Sequence, residues 1–173
     1  MRKNGFTRTN FSTQNLRGFT IIELLIYMGL LSGFLVVLTQ IFVAALDVQL
    51  VSEATSRTRE DGRYILSRLE YDAGRATAIT MPAAPGQSAD SLQLIIGGEA
   101  FTYAITAANV TITNTSGTQS LNGTGTTVSG FSVQRLGNTN GKQSARVNFT
   151  LISTGQGVKG SEVRSYQTTI GVR

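Results

Sequence analysis

The hydrophobic pattern is dominated by an apolar run over residues 19–46, in which Glu23 is the only charged residue. As an α-helix, these 28 residues would extend about 42 Å, which exceeds the roughly 30 Å hydrocarbon core of a bilayer. Gly29, Ser32 and Gly33 lie within the run, and membrane helices use such small residues for close contacts. The pattern therefore predicts a transmembrane helix that tilts or protrudes at one end.

Residues 47–79 keep the helical period but become amphipathic. The positions expected to be buried are Val51, Ala54, Thr58, Ile65, Leu69, Ala73 and Ala76. The charged residues expected mostly on the solvated face are Glu53, Arg57, Arg59, Glu60, Arg63, Arg68 and Asp72. Gly62 is a weak point in the helix interior, because glycine has a low helix propensity. We predict one helix of about 55 residues whose second half packs against a sheet.

After the helical pattern the period changes from helical to alternating, which predicts strands. Residues 80–86 contain two prolines and predict a linker. The expected strands are 91–96, 100–106, 109–114, 130–136, 145–153 and 163–172, with a hairpin turn at Gly97-Gly98. The polar stretches 114–125 and 137–141 are expected to be exposed loops. The predicted fold class is α+β, a long N-terminal helix packed on an antiparallel sheet.

The charge distribution separates the N-terminus from the rest of the chain. The chain has fifteen basic and ten acidic residues and a formal net charge of +5. Four of the basic residues precede Gly18, where there is no acid: Arg2, Lys3, Arg8 and Arg17. A basic flank of this kind stays on the cytoplasmic side of a membrane, so everything after Leu46 is expected on the far side. The rest of the chain is nearly neutral, which argues against nucleic acid as a partner.

The residue types leave little for catalysis or metal binding. The chain has no His and no Cys, which excludes a Ser–His–Asp triad, a thiol mechanism and a conventional zinc site. After Ala76 the carboxylates are Asp90, Glu99 and Glu162, which are far apart in sequence, and no Asp-rich loop suggests calcium. We therefore expect no enzyme activity, no cofactor and no metal site.

Two further patterns have alternative functional interpretations. Arg135, Lys142 and Arg146 could form a small basic patch, although we interpret them as separate solvated residues. Residues 155–160 match the string G-x-G-x-x-G, but a dinucleotide site would need a helix to follow. A strand-like segment follows instead, so this stretch predicts a hairpin loop.

The start of the apolar run is unlike a secretory signal or a plain anchor. The run is longer than the 7–15 residue hydrophobic region of a signal peptide and lacks a small-x-small cleavage site after it. A plain anchor leaves the carboxylate of Glu23 unexplained, because it costs about 2.5–3.5 kcal/mol in lipid. The sequence Arg-Gly-Phe-Thr-Ile-Ile-Glu-Leu-Leu, residues 17–25, closely resembles the prepilin signature of type IV pilins and type II secretion pseudopilins.

The resemblance implies a processing event and an assembly role. Prepilin peptidase would cut between Gly18 and Phe19 on the cytoplasmic side, remove the leader 1–18, and methylate the new N-terminus at Phe19. Glu23 would then pair with the N-terminal amine of a neighbouring subunit and set the register of assembly. The implied partners are prepilin peptidase, major and other minor pilins or pseudopilins, an inner-membrane assembly platform and membrane lipid.

The rest of the chain favours a minor subunit. After a helix end rich in basic and acidic residues come a Leu-x-Leu strand, a paired strand, Val-Ser-Gly-Phe-Ser-Val at 128–133 and Arg-Val-Asn-Phe-Thr-Leu at 146–151. This order of features is similar to that of J-type minor pseudopilins and W-type minor pilins. Major pilins usually carry a proline near the position of Gln40, whereas no proline lies between Met1 and Met81. We expect a minor subunit of a pilus, secretion pseudopilus or competence filament, with its β-rich domain, 80–173, outside the cytoplasm. The alternatives are a pilus-tip adhesin, a DNA-uptake subunit and an anchored binding domain unrelated to filaments.

Overall fold

A computed structural model describes residues 18–137, 141–157 and 160–172 of the chain. Helix α1 (Ile21–Arg75) is followed by nine strands within these residues. The strands are β1 (Ala78–Met81), β2 (Ser88–Ala89), β3 (Ser91–Ile96), β4 (Glu99–Thr106), β5 (Asn109–Asn114), β6 (Gly117–Ser120), β7 (Thr126–Leu136), β8 (Ser144–Gly157) and β9 (Gly160–Gly171). Every strand pair is antiparallel, and the predicted α+β class is confirmed.

The chain divides into two compact units, Met1–Val43 and Ala44–Arg173. In the first unit, the apolar side chains of the helix are exposed. Helix α1 is the one helix of the described residues that is long and apolar enough to cross a membrane, and its 18-residue apolar window has a mean hydropathy of 2.4. This finding is consistent with a single-pass membrane anchor near the N-terminus.

Two aliphatic hydroxyl groups of this apolar stretch donate hydrogen bonds to backbone carbonyls of their own helix. Ser32 donates its Oγ hydrogen to the carbonyl of Gly29 at 2.9 Å, and Thr39 donates to the carbonyl of Leu35 at 2.8 Å. An unbonded hydroxyl would be costly in hydrocarbon, where no water is present to accept its hydrogen bond. These two polar side chains therefore remain compatible with a membrane environment.

In the second unit, one face of the helix packs on two sheets. The buried helix residues are Ala54, Thr58, Gly62, Ile65, Leu69, Asp72 and Ala73. The first sheet has the order β1-β3-β4-β5-β6 and the second has the order β2-β7-β8-β9. A single hydrophobic cluster joins Ile65 and Leu69 of the helix with side chains of both sheets, such as Leu94 and Val147. The amphipathic pattern therefore predicted the packing face of the helix.

Turn residues explain the hairpin that the sequence predicted between β3 and β4. Gly97 and Gly98 have φ angles of 60° and 87°, in the left-handed region that glycine adopts at little cost. Two consecutive residues with positive φ match the twist of the flanking strands. The pairing of Ile96 with Glu99 closes this turn.

Three short strands were not predicted, and the sheet expected to be single is divided into two. The helix ends at Arg75, before residue 79, because Ala78–Met81 pairs as β1 with β3. Strands β2 and β6 are two and four residues long, too short for an alternating pattern to identify them. The prediction that 114–125 is an exposed loop is wrong, since this stretch contains β6 and the buried residues Leu121 and Asn122.

A buried amide fixes the chain after β6. Asn122 accepts a hydrogen bond from the backbone N–H of Val110 at 2.9 Å and donates to Oδ1 of Asn109 at 2.9 Å. Asp61 of the helix accepts hydrogen bonds from the backbone N–H of Gly123 and the hydroxyl of Thr126. Buried polar groups are retained when they are bonded in this way. The segment is therefore attached both to β5 and to the helix.

Gly62 has a packing role that the sequence did not reveal. A Cβ at this position would lie 2.1 Å from Cζ of Tyr166. Tyr166 is held by a 2.7 Å hydrogen bond from its hydroxyl to the carbonyl of Thr58, and its ring stacks on Phe149 at 5.2 Å. The interpretation of Gly62 as a weak point is incomplete, because its lack of a side chain makes room for the tyrosine.

We expect Gly62→Ala to lower the free energy of unfolding by about 1–2 kcal/mol. Overpacking of this kind costs about 1–3 kcal/mol, which outweighs the gain in helix propensity of up to about 1 kcal/mol. The control is Gly74→Ala in the same helix, where no atom lies within 4 Å of a new Cβ and the change should stabilise the protein. Urea unfolding of the full chain in detergent micelles should show opposite signs, and equal effects would contradict the packing role.

Candidate assembly site at the start of the helix

The first helical turn is capped by a threonine. Gly18, Phe19 and Thr20 precede the helix, which begins at Ile21. The Oγ1 of Thr20 accepts a hydrogen bond from the backbone N–H of Glu23 at 3.3 Å, and its carbonyl accepts from Leu24 at 3.1 Å. Threonine at this position satisfies an amide that would otherwise lack a partner, and the carboxylate of Glu23 interacts favourably with the helix N-terminus.

Gly18 has no close neighbour in the described part of the chain. No atom of that part lies within 4 Å of a Cβ placed on this residue, and its φ is outside the left-handed region. Neither steric contact nor backbone conformation within the described chain therefore requires glycine here. A requirement for glycine at this position would have to come from a molecule that binds the segment.

Glu23 has a hydrogen-bond donor one helical turn away. The hydroxyl of Tyr27 donates to Oε1 of Glu23 at 3.4 Å. Among the residues that the structure describes, no other side chain donates a hydrogen bond to this carboxylate. Glu23 is half-buried, whereas the apolar residues around it in the helix are exposed.

The ring of Tyr27 also contacts Phe19. The two ring centroids are 6.3 Å apart with an interplanar angle of 72°, an edge-to-face arrangement. Phe19, just before the helix, and Glu23 and Tyr27 within it are four residues apart, and Tyr27 contacts both of the others. The sequence analysis singled out Phe19 and Glu23 but missed Tyr27, although the i,i+4 spacing from Glu23 was a usable signal.

The two arginines of the basic patch considered from the sequence do not lie on one face of the sheet. Gln134 pairs with Arg146 and Arg135 pairs with Ala145, so Arg135 and Arg146 point to opposite faces of the second sheet. The guanidinium of Arg135 donates hydrogen bonds to the carbonyls of Pro82 and Ala83. The arginine therefore attaches the segment between β1 and β2 to the sheet.

The placement of Asp72 on the solvated helix face is wrong. Its side chain is 1% exposed, and Oδ2 accepts hydrogen bonds from the hydroxyl of Tyr103 at 2.5 Å and from Nε of Arg68 at 2.9 Å. Oδ1 is buried and has no hydrogen-bond partner among the described residues. Burial, together with the hydrogen bond to Asp72, raises the pKa of Tyr103 well above its ordinary value. The phenol therefore stays protonated and acts as a donor inside the core.

The two glutamates of the β-rich part have separate partners. Glu99 accepts hydrogen bonds from the backbone N–H and the hydroxyl of Thr115, and these bonds lower its pKa. Glu162 pairs with Arg164 at 3.4 Å. In the described ranges, no group of three His, Cys, Asp or Glu residues could hold a metal ion.

The glycine-rich stretch 155–160 connects two antiparallel strands. Gly157 at the end of β8 pairs with Gly160 at the start of β9. The next element after β8 is the antiparallel strand β9 and not a helix, which confirms the predicted hairpin connection. Residues 158–159, like residues 138–140 of the predicted loop 137–141, lie outside the described residues.

Comparison of the chain with protein-family models, with curated proteins and with solved structures gave no match. The architecture of a long apolar N-terminal helix with antiparallel sheets is compatible with a pilin-like fold. The interpretation of Gly18, Phe19 and Glu23 therefore depends on their motif and on the chemistry of the segment.

Proposed function

We propose that the chain is a minor pilin or pseudopilin, a structural subunit that assembles into an extracytoplasmic filament through its N-terminal helix. The observation that carries the proposal is the carboxylate of Glu23, a half-buried residue in the first turn of an otherwise uncharged helix stretch, directly after the Gly18-Phe19 motif. The helix begins only two residues after the proposed cut. Cleavage would therefore place a new amine beside the helix start.

The physical argument concerns an ion pair in a medium of low dielectric constant. A lone carboxylate among apolar residues is unfavourable in lipid, and so is a lone amine. Pairing the amine of Phe19 in one subunit with Glu23 of its neighbour would neutralise both groups. Removing one partner from a buried pair is strongly destabilising, so the pairing favours one axial register over others.

The β-rich unit supports a structural role over DNA binding. Arg135 and Arg146 lie on opposite faces of the sheet, and the charges after residue 18 nearly cancel. Affinity for DNA depends mainly on clustered positive charge. An anchored binding domain outside any filament is the competing function, and it would require neither cleavage at Gly18 nor a cationic partner for Glu23.

The proposal is tested by the N-terminus of the mature protein. The full chain is extracted from membranes of cells with and without prepilin peptidase, and its intact mass and N-terminal peptide are measured. We expect a chain beginning at N-methylated Phe19 only when the peptidase is present. A chain beginning at Met1 in both cases would overturn the proposal and leave a plain anchored domain.

Two glycine variants test whether Gly18 is the cleavage position. Gly18→Asp should block cleavage, so that the longer precursor remains in the membrane at a normal level. Gly74→Asp is the matched control, since Gly74 is also free of atoms within 4 Å of a new Cβ, and it should be processed normally. A Gly18→Asp protein of mature size would exclude Gly18 as the cleavage position.

A further inference from the structure

We propose that Tyr27 is a positioning residue for the assembly carboxylate, holding one oxygen of Glu23 by a hydrogen bond so that the other is presented to the incoming amine. This inference rests on the proposed function of Glu23. It assigns to the helix a second polar residue that acts in assembly.

The geometry places Tyr27 in contact with the two residues of its own subunit that take part in the proposed pairing, each with a different neighbour. Its hydroxyl donates to Oε1 of Glu23 at 3.4 Å, and its ring meets the ring of Phe19 edge-to-face at 6.3 Å. The bond to Oε1 restricts the rotation of the carboxylate about its long side chain. The ring contact restricts Phe19, whose backbone nitrogen would become the amine.

The other hydroxyls of the apolar stretch show why Tyr27 is different. Ser32 and Thr39 donate to carbonyls of their own helix, which short side chains reach easily. The hydroxyl of Tyr27 instead donates its hydrogen bond to the carboxylate of Glu23. In hydrocarbon, where water is absent, this bond would satisfy both a phenol and one carboxylate oxygen.

The hydrogen bond between Tyr27 and Glu23 can also form in the subunit before it assembles. A subunit waiting in the membrane has no amine of a neighbouring subunit beside it, and the phenol of Tyr27 gives its Glu23 a hydrogen bond before assembly. A phenol donates a hydrogen bond without adding charge, and therefore leaves the attraction between the carboxylate and the amine intact. Lysine or arginine at position 27 would instead compete with that amine.

The first test measures the hydrogen bond in the unassembled subunit. The full chain is placed in phosphatidylcholine vesicles with ¹³C-labelled glutamate carboxyls, and the Glu23 resonance is assigned by its loss in Glu23→Ala. Tyr27→Phe, which keeps the ring and removes the hydroxyl, should shift this resonance. Tyr64→Phe is the control, because Tyr64 is an exposed tyrosine elsewhere on the same helix. An unchanged Glu23 resonance in Tyr27→Phe would overturn the inference.

The second test measures incorporation in the cells that make the protein. The fraction of chain crosslinked to its filament partners is compared after correction for the amount in the membrane. We expect Tyr27→Phe to lower this fraction about three- to tenfold, as expected for loss of one hydrogen bond. Tyr64→Phe should leave it unchanged.

The results separate this inference from the function on which it rests. If Glu23→Ala has no effect on incorporation, the register role of Glu23 fails and the inference falls with it. If Glu23→Ala has an effect and Tyr27→Phe has none, Tyr27 does not position the carboxylate and the proposed function stands. Reduced incorporation together with an unchanged Glu23 resonance would make Tyr27 an independent contact and would also overturn the inference.

Discussion

Glu23→Ala should leave membrane insertion intact and lower incorporation into filaments by at least about tenfold. The substitution removes a costly charge from the apolar stretch, so insertion should not suffer. It also leaves the amine of the neighbouring subunit without its partner. Breaking a buried ion pair typically costs about 3–5 kcal/mol, and about 1.4 kcal/mol already corresponds to a tenfold change. The measurement is co-purification of the full chain with its filament partners, normalised to the amount in the membrane.

The matched control for this prediction is Glu53→Ala. Glu53 lies on the same helix but in the second unit, where it forms an exposed ion pair with Arg57 at 2.5 Å. Its loss should change incorporation little, because exposed pairs of this kind contribute about 0–1 kcal/mol. Equal incorporation of Glu23→Ala and the unmodified chain would rule out Glu23 as the determinant of register.

Asp72→Ala should lower the free energy of unfolding by about 2 kcal/mol, through loss of a buried acceptor. Tyr103 is fully buried, and its hydroxyl donates to Oδ2 of Asp72. A buried donor left without an acceptor costs about 1–3 kcal/mol. Part of the loss is offset because the substitution also removes Oδ1 of Asp72, a buried oxygen with no hydrogen-bond partner in the part of the chain that the structure describes. Arg68 is 34% exposed, so its freed charge can be solvated.

Glu53→Ala is again the control, since Glu53–Arg57 and Arg68–Asp72 are both i,i+4 ion pairs on one helix. The exposed pair should contribute about 0.5 kcal/mol or less. Unfolding by urea can be followed through the near-ultraviolet circular dichroism of the tyrosines, because the chain has no Trp. If both variants lose a similar small free energy of unfolding, the buried hydrogen bonds of Asp72 contribute no more to stability than the exposed ion pair of Glu53.

The elements with strong local signals could be predicted from the sequence. The apolar run and the amphipathic pattern after it specify one long helix, because the helical period repeats over many turns. The hairpin at Gly97-Gly98 follows from the turn residues that its geometry requires.

The turn between β4 and β5 has no such sequence signal, since it uses Ala107 and Ala108 at φ angles of 49° and 61°. The hydrogen bond from the backbone N–H of Val128 to the carbonyl of Ala108 helps to hold that turn.

Some residues of the candidate site could likewise be predicted from the sequence, and one could not. Gly18, Phe19 and Glu23 were visible as a motif, because the chemistry of such a segment depends on neighbouring residues in the chain. Tyr27 was visible only once the side chains were placed, since helical spacing permits a contact with Glu23 but does not require one.

The sequence by itself determined the apolar helix, its charge asymmetry and the general α+β class, all of which depend on composition and on periods within short stretches. The tertiary structure alone decided that Asp72 is a buried acceptor, that Gly62 makes room for Tyr166, and that the strands divide into two sheets. These features join residues far apart in the chain, such as Asp72 with Tyr103 and Thr58 with Tyr166. Their energies depend on burial and on distances between side chains, which no local pattern of residues specifies.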